Sequence, residues 1–416
     1  MPSVEISERW REGTWEGPED LFSLPGGPAF GLLHGGDWVI FGEDPLWVLA
    51  DLDLPELRWD RRGDLPPLLP DFMGFAAYEL GFTLDPVLGA PRPAPWPFPA
   101  CHFALHRRVR LLHRPSGRAW EALREGPAPL GLRHGLKEGP FRAVRIGDSD
   151  GPERFQEKVR RIREEIRRGD VYQANLCRQE SWSFQGDLRN LARRLALENP
   201  APHSALIAAE GWALLSTSPE SFLKLQDGRL ESRPIKGTAP READPVADRA
   251  RAEGLLASAK DRSELAMIVD LVRNDLSRVC AWPSVQVGGF PRLESFANVH
   301  HLVAAVEGRI REGVSLRDLF AGLFPAASIT GCPKLAAMAL LRELEDQPRL
   351  ASTGALGWFR HDLGQADLAV AIRTLSVGPG ELRLGLGSGI VWDSEPEAEY
   401  LETIAKGSSL VRCLSS

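Results

Sequence analysis

From Asp150 onward, apolar positions recur with a period that switches between that of a helix and that of a strand. In "ERFQEKVRRIREEIRRGD", Phe155, Val159, Ile162 and Ile166 fall three or four residues apart and form one apolar stripe on a charged helix, which Gly169 ends. "VYQANLCRQESWSF" alternates as a strand, "LRNLARRLALEN" returns to helical spacing, and "ALIAAEGWALLSTSPESFLKL" and "RLESRPIKGT" read as strands. Two more helices are predicted over "SAKDRSELAMIVDLVRNDLSRVC" and "WDSEPEAEYLETIAKGSSL", the second opened by a capping box of Ser394 and Glu397 with Pro396 early in the helix. Helices sit between groups of strands without steady strand–helix alternation. That order predicts an α+β fold with large, mainly antiparallel sheets, and it speaks against a doubly wound fold or an eightfold barrel.

Residues 1–147 differ in texture. Short apolar runs such as "DWVIFG", "LWVLADL" and "VRLLHR" lie between turn signals, and "PRPAPWPFPA" reads as an extended connector. The chain therefore divides into a strand- and loop-rich region, 1–147, and a region 148–416 with the stronger patterns, expected to form one two-lobed unit. No internal repeat is present.

Composition narrows the function classes. The 416 residues are 43% hydrophobic and 26% charged, enough for a large core, and the formal charge is 50 − 57 = −7. Acids and bases are interleaved, so no basic face asks for nucleic acid or anionic membrane. Cys101, Cys177, Cys280, Cys332 and Cys413 are odd in number and far apart, which argues against a disulfide framework and for a reducing, cytoplasmic compartment. No segment is apolar enough for a signal peptide or a membrane span.

Three constellations and one lysine carry candidate chemistry. Asp261 and Glu264, three apart on a helix, project from nearly one face; Glu399, Glu402 and Lys406 do so on another. Four carboxylates on two helices suit a hard cation such as Mg²⁺, although either set alone reads equally as a solvated helix face. Gly385, Gly387 and Gly389 alternate along "LRLGLGSGIVWD", where glycine weakens a strand and implies a bulge or the close approach of backbone to a ligand carboxylate. Lys236 stands inside the apolar run "RPIKGT". It is either a surface cation at a strand end or an amine that burial has turned into a nucleophile.

Taken in order, "STSPESF", "RPIKGT", "DRSELAMIVDLVRNDL", "ANVHHLV", "SITGCPKLAAM", "AIRTL", "GSGIVWDS" and "EAEYLET" resemble the chorismate-utilising enzymes, the family that includes anthranilate, aminodeoxychorismate, isochorismate and salicylate synthases. "GFAAYELG" at Gly74 to Gly81 extends the likeness into the amino-terminal region. The resemblance implies two large antiparallel sheets packed as a sandwich, helices outside and the active site between the sheets. It implies Mg²⁺ held directly by Glu264 and Glu402, with Asp261 and Glu399 holding the metal's waters; Asp261 departs from relatives that carry glutamate there. Arg373, Lys406 and the backbone at Gly387, Ser388 and Gly389 match a grip on substrate carboxylates through cations and nested N–H groups. His301 and Glu220 match the groups near the departing C4 hydroxyl of chorismate, Ser328 and Thr330 shape the pocket, and Lys334 is a helix-start cation.

Two positions discriminate within the resemblance. Isochorismate and salicylate enzymes carry a water-activating lysine where Gln173 stands. Anthranilate enzymes read P-I-A-G-T where this chain reads "PIKGT", and a lysine there marks the aminodeoxychorismate enzymes. The implied reaction, conventionally grouped with the transaminases, has Lys236 attack C2 of chorismate as the C4 hydroxyl leaves, after which ammonia attacks C4 and expels the lysine. The alternatives are anthranilate formation and a lysine that only contacts a substrate carboxylate. No glutaminase signature is visible, so ammonia is expected from a separate glutamine amidotransferase subunit. The "LLES" signature of tryptophan-inhibited relatives is absent, so feedback by tryptophan is not expected.

Overall fold

The computed structural model describes residues 4–14, 29–133, 139–295 and 299–415, and in it 21 strands join one hydrogen-bonded network. Two arms leave the long antiparallel pair Trp38–Leu49 and Cys101–His113. One arm continues from Trp38–Leu49 through Phe30–Gly35, His203–Ala209, Trp212–Ser218, Thr374–Gly378, Glu381–Ile390 and Gln173–Gln185. The other runs from Cys101–His113 through Phe72–Ala76, Ala355–Phe359, Gln365–Val370, Ser221–Gln226, Arg229–Ser232 and Val299–Arg309, which also pairs with Ile235–Pro240 and Gln286–Ser295. All these pairs are antiparallel; Val4–Thr14 with Leu57–Gly63 is parallel.

The arms face each other. Phe75, Leu356 and Ala369 of one share a buried cluster with Ala205, Ile207 and Leu214 of the other, and Phe75 meets Trp212 edge-on at 5.4 Å. Helices Ala259–Val279 and Leu316–Leu323 bury apolar faces on the outside of the second arm, while Leu188–Glu198 and Pro396–Leu414 cover the first. The α+β class and the layered antiparallel sheets are as the sequence predicts. One refinement concerns the sandwich: its two sheets are a single network folded at the Trp38–Leu49 and Cys101–His113 pair.

Local expectations fare differently. The helix Pro152–Arg168 buries Phe155, Val159 and Ile162 completely and stops at Gly169 in the left-handed region, φ 86°. The capping box does not form: helix Pro396–Leu414 has Glu395 at its N-cap with no side-chain cap, and the Ser394 hydroxyl accepts instead from the Val391 N–H at 3.0 Å. That bond closes the turn between the glycine strand and the helix. Pairing crosses residue 147 three times: Phe30–Gly35 with His203–Ala209, Phe72–Ala76 with Ala355–Phe359, and Arg142–Asp148, which spans the boundary, with Gln173–Gln185.

Candidate active site

The site grows from irregularities in otherwise regular ladders. Strand Ile235–Pro240 slips register against Val299–Arg309 between Lys236 and Thr238, where Gly237 adopts φ +73°. A Cβ at Gly237 would sit 3.0 Å from the Asp261 carboxyl, so the bulge brings "IKGT" against the start of helix Ala259–Val279. The Lys236 amine lies 3.7 Å from the place a Cβ on Gly389 would occupy. It makes no hydrogen bond among the described residues. Loss of hydration pulls its pKa below the ordinary lysine value, and Lys406 adds to this; Glu264, Glu220 and Glu402 oppose it. An amine of lowered pKa with unused donors has the character of a nucleophile.

Glu220 follows strand Trp212–Ser218 and is buried, with the Ser328 hydroxyl donating to Oε1 at 2.7 Å. Burial raises its pKa despite Ser328, Lys236 and Lys406, so the carboxyl is suited to carrying a proton. His301 is buried on Val299–Arg309, its Nδ1 2.9 Å from the Thr238 hydroxyl. Burial and then the Arg373 charge lower its pKa, favouring the neutral ring. Thr330, assigned to shaping the pocket, is fully buried and gives its hydroxyl to the Ala326 carbonyl at 3.0 Å, so it shapes the turn that presents Ser328.

Arg373 is left-handed at φ +50° and interrupts pairing. Thr374–Gly378 pairs with the glycine strand only as far as Leu375 with Leu384, so Gly385 to Ile390 has Gln173–Gln185 on one side and, among the described residues, no strand on the other. The half-buried Arg373 guanidinium forms no ion pair among the described residues, and burial lowers its pKa. A partly desolvated, unpaired cation calls for an anion. The stretch Gly387, Ser388, Gly389 is a regular antiparallel strand, which corrects the expectation of nested N–H groups; its alternate N–H groups face the open side because a ladder uses them in turn. The glycine spacing reflects close approach: a Cβ would meet Ser352 Oγ at 2.5 Å from Gly385, Cys177 Sγ at 2.7 Å from Gly387 and Asn175 Oδ1 at 2.9 Å from Gly389.

The carboxylates of the two helices stand at the rim. Glu402 pairs with Lys406 at 2.6 Å, Lys406 donates to the Gly387 carbonyl at 3.2 Å, and Ser388 donates to Glu399. Burial acts to raise the Glu402 pKa, but Lys406 and Lys236 hold it below the usual carboxylate value. Glu264 and Glu402 both act electrostatically on Lys236, so each helix brings a carboxylate near the amine. Among the described residues no three His, Cys, Asp or Glu side chains converge as a ready-made metal cage. As carboxylates, these acids are hard oxygen donors, the ligand type that suits Mg²⁺.

The surroundings of three side chains were not foreseen from the sequence. Gln173 is 1% exposed, its Nε2 lacks a partner, and it lies 3.3 Å from the same Gly389 position that faces Lys236. Asn175 donates to the Ser328 carbonyl at 3.1 Å. Lys334 begins helix Lys334–Leu344 as expected, yet its ammonium is engaged by Asp275 at 2.8 Å and by the Leu323 carbonyl at 2.9 Å. The strand alternation of "VYQANLCR" could have indicated that Gln173 and Asn175 share a face. Ala297 and Asn298 of "ANVHHLV" lie outside the described residues.

Residues 48–412 match the sequence profile of the chorismate binding enzymes. Over 278 residues, 67% of this chain, the sequence is 41% identical to the aminodeoxychorismate synthase component 1 of Salmonella typhimurium. Over 262 residues, 63% of the chain, it is also 41% identical to an anthranilate synthase component 1 of Haloarcula marismortui. The chain spans 61% and 53% of the length of these two relatives. Two solved structures share the fold: the anthranilate synthase component I of Streptococcus pneumoniae, with TM-score 0.72 and 24% identity over 97% of this chain and 92% of that one, and the menaquinone-specific isochorismate synthase of Escherichia coli, with TM-score 0.77 and 17% identity over 99% and 95%.

Proposed function

The chain belongs to the chorismate binding enzyme family, and we propose that within it this protein replaces the C4 hydroxyl of chorismate by an amino group, forming 4-amino-4-deoxychorismate. The observation that carries this reading is the Lys236 amine, without a hydrogen bond among the described residues, 3.7 Å from the Gly389 Cβ position and near enough to Glu220 to feel its charge, its pKa lowered by burial. Relatives bearing the name aminodeoxychorismate synthase component 1, at 41–43% identity, agree with it. Anthranilate synthesis is the second reading, favoured by relatives of that name at up to 41% identity.

In the proposed mechanism Arg373 and the open N–H groups of the glycine strand bind carboxylate. Lys236 Nζ forms a bond to C2 while the C4–O bond breaks, and Glu220 delivers the proton that lets the hydroxyl leave as water, with His301 alongside. Ammonia then bonds to C4, the C2–N bond to Lys236 breaks, and the proton released by the new amine restores Glu220. The nitrogen donor in this step is ammonia itself, so the chemistry on this chain is amination rather than transamination. Glu264 and Glu402, backed by Asp261 and Glu399, would hold Mg²⁺, which when bound neutralises a substrate carboxylate. Ammonia is proposed to come from a separate glutamine amidotransferase subunit, in keeping with the "component 1" names of the relatives. No helix among the described residues is long and apolar enough to cross a membrane. The five cysteines are free, which fits the proposed cytoplasmic site of action.

The test is product analysis. Purified chain with chorismate, Mg²⁺ and an ammonium salt at alkaline pH is expected to yield a non-fluorescent product that a lyase converts to p-aminobenzoate, and to yield none from glutamine alone. Fluorescent anthranilate as the main product would overturn the assignment.

A further inference from the structure

Arg349 lies between helix Lys334–Leu344 and strand Ala355–Phe359, and is 2% exposed. Its guanidinium uses all five N–H donors. Nε and one NH2 hydrogen bind Glu345 at 2.8 and 2.6 Å, and the other NH2 hydrogen binds the Asn175 carbonyl at 2.6 Å. NH1 reaches Thr353 Oγ1 at 3.2 Å and the Ile329 carbonyl at 3.4 Å. Glu345 Oε1 also accepts from the Cys177 N–H at 2.9 Å. On the far side, the Tyr78 ring lies 4.3 Å from the guanidinium carbon and Glu79 accepts from the Arg349 backbone N–H at 2.7 Å, which fastens the clamp to "GFAAYELG".

The groups so held are neighbours of the reacting ones. Asn175 and Cys177 flank the strand position opposite Ser388, and Asn175 itself pairs with Gly389, which faces Lys236. The Asn175 amide binds the Ser328 carbonyl, and Ser328 binds Glu220. Thr353 donates its N–H to Ala371, two residues before Arg373. One cation thus touches the strand, the turn and the loop that carry three walls of the site.

We propose that Arg349, clamped by Glu345, is the positioning residue of this site, fixing through Asn175 and Ser328 the orientation of the Glu220 carboxyl relative to Lys236. It rests on the proposed function for the naming of the reaction, and on geometry alone for the clamp. A lysine in its place retains the charge opposite Glu345 but offers three donors on a single atom and cannot span the three walls.

The test compares Arg349→Lys with wild type by thermal melting, by KM and kcat for chorismate with ammonium, and by the pH profile of kcat. A folded variant is expected to keep KM within about twofold, because the backbone bond from Thr353 to Ala371 that holds the Arg373 loop does not involve the guanidinium, and to lose kcat by about ten- to a hundredfold, the scale of displaced general acid catalysis. With the Ser328 bond to Glu220 weakened, Glu220 holds its proton to higher pH, so the alkaline limb of kcat moves upward. The other charges facing Glu220 remain in place: Lys236, Lys406 and, across the adjoining cavity, Asp275. Asn175→Ala, which cuts the same path without touching the ion pair, is expected to move the limb in the same direction even if Arg349→Lys does not fold. Loss of kcat with an unmoved limb in both variants, or undiminished kcat in a folded Arg349→Lys, overturns the proposal. Should wild type consume no chorismate, the proposed function fails by itself. The clamp is then judged by the rate at which trinitrobenzenesulfonate labels Lys236, expected to change several-fold in Asn175→Ala and refuting the clamp if it does not.

Discussion

Adding one methyl group at Gly389 probes the site without removing any functional group. The backbone there is not in the left-handed region, so Gly389→Ala is conformationally permitted. The new Cβ would stand 2.9 Å from Asn175 Oδ1, 3.3 Å from Gln173 Nε2 and 3.7 Å from Lys236 Nζ. The first contact is too short and forces the Asn175 side chain to move, at the expense of its 3.1 Å bond to Ser328, a loss of about 1 kcal/mol. Replacing a strand glycine returns about 0.5–1 kcal/mol, so net stability should hardly change. Binding is affected more, since the methyl occupies the approach between Lys236 and the open edge of the glycine strand. Overpacking of about 1–3 kcal/mol against the ligand corresponds to a fall in kcat/KM of about 5- to 150-fold. Gly385→Ala, whose Cβ meets buried Ser352 Oγ at 2.5 Å, is the contrast, with stability lost and kcat/KM per folded molecule retained. The assay is chorismate consumption with a parallel thermal melt. Unchanged kcat/KM in Gly389→Ala would refute the placement of substrate against this strand.

Two other perturbations test separate parts of the proposed mechanism. Lys236→Ala should lose aminodeoxychorismate formation while still binding chorismate, and mass spectrometry should find a substrate adduct on the Lys236 peptide of wild type only; undiminished turnover returns Lys236 to a strand-end cation. Glu264→Gln or Glu402→Gln should abolish turnover and weaken Mg²⁺ binding measured by calorimetry in the presence of chorismate, whereas a variant with normal activity at limiting Mg²⁺ refutes the metal assignment.

Local patterns in the sequence carried much of this site. Helical spacing put Asp261 with Glu264, and Glu399 with Glu402 and Lys406, on common faces; the Gly-Thr turn after Lys236 marked an irregular ladder, and the glycine alternation marked close approach within a regular one. These are short-range signals. What was not legible depends on which strands become neighbours: Asn175 and Ser328 are 153 residues apart, Arg349 and Asn175 174. No periodicity encodes such pairings. The Ser394 expectation failed for the opposite reason, since a correct local motif was outcompeted by the turn that joins strand to helix.

The folded network has a consequence for dividing the chain. A cut at residue 147 passes through strand Arg142–Asp148 and between regions that share three strand pairs, so it would uncover Phe30–Gly35 and Phe72–Ala76 on one fragment and His203–Ala209, Ala355–Phe359 and one edge of Gln173–Gln185 on the other. Several of these strands are apolar on both faces; every residue of Phe72–Ala76 and of Ala355–Phe359 is buried. Separated, each fragment would offer sticky open edges to any strand it met, its own copies included. The amino-terminal region therefore covers strand edges that the rest of the chain would leave open, and the two pieces belong in the same refolding vessel.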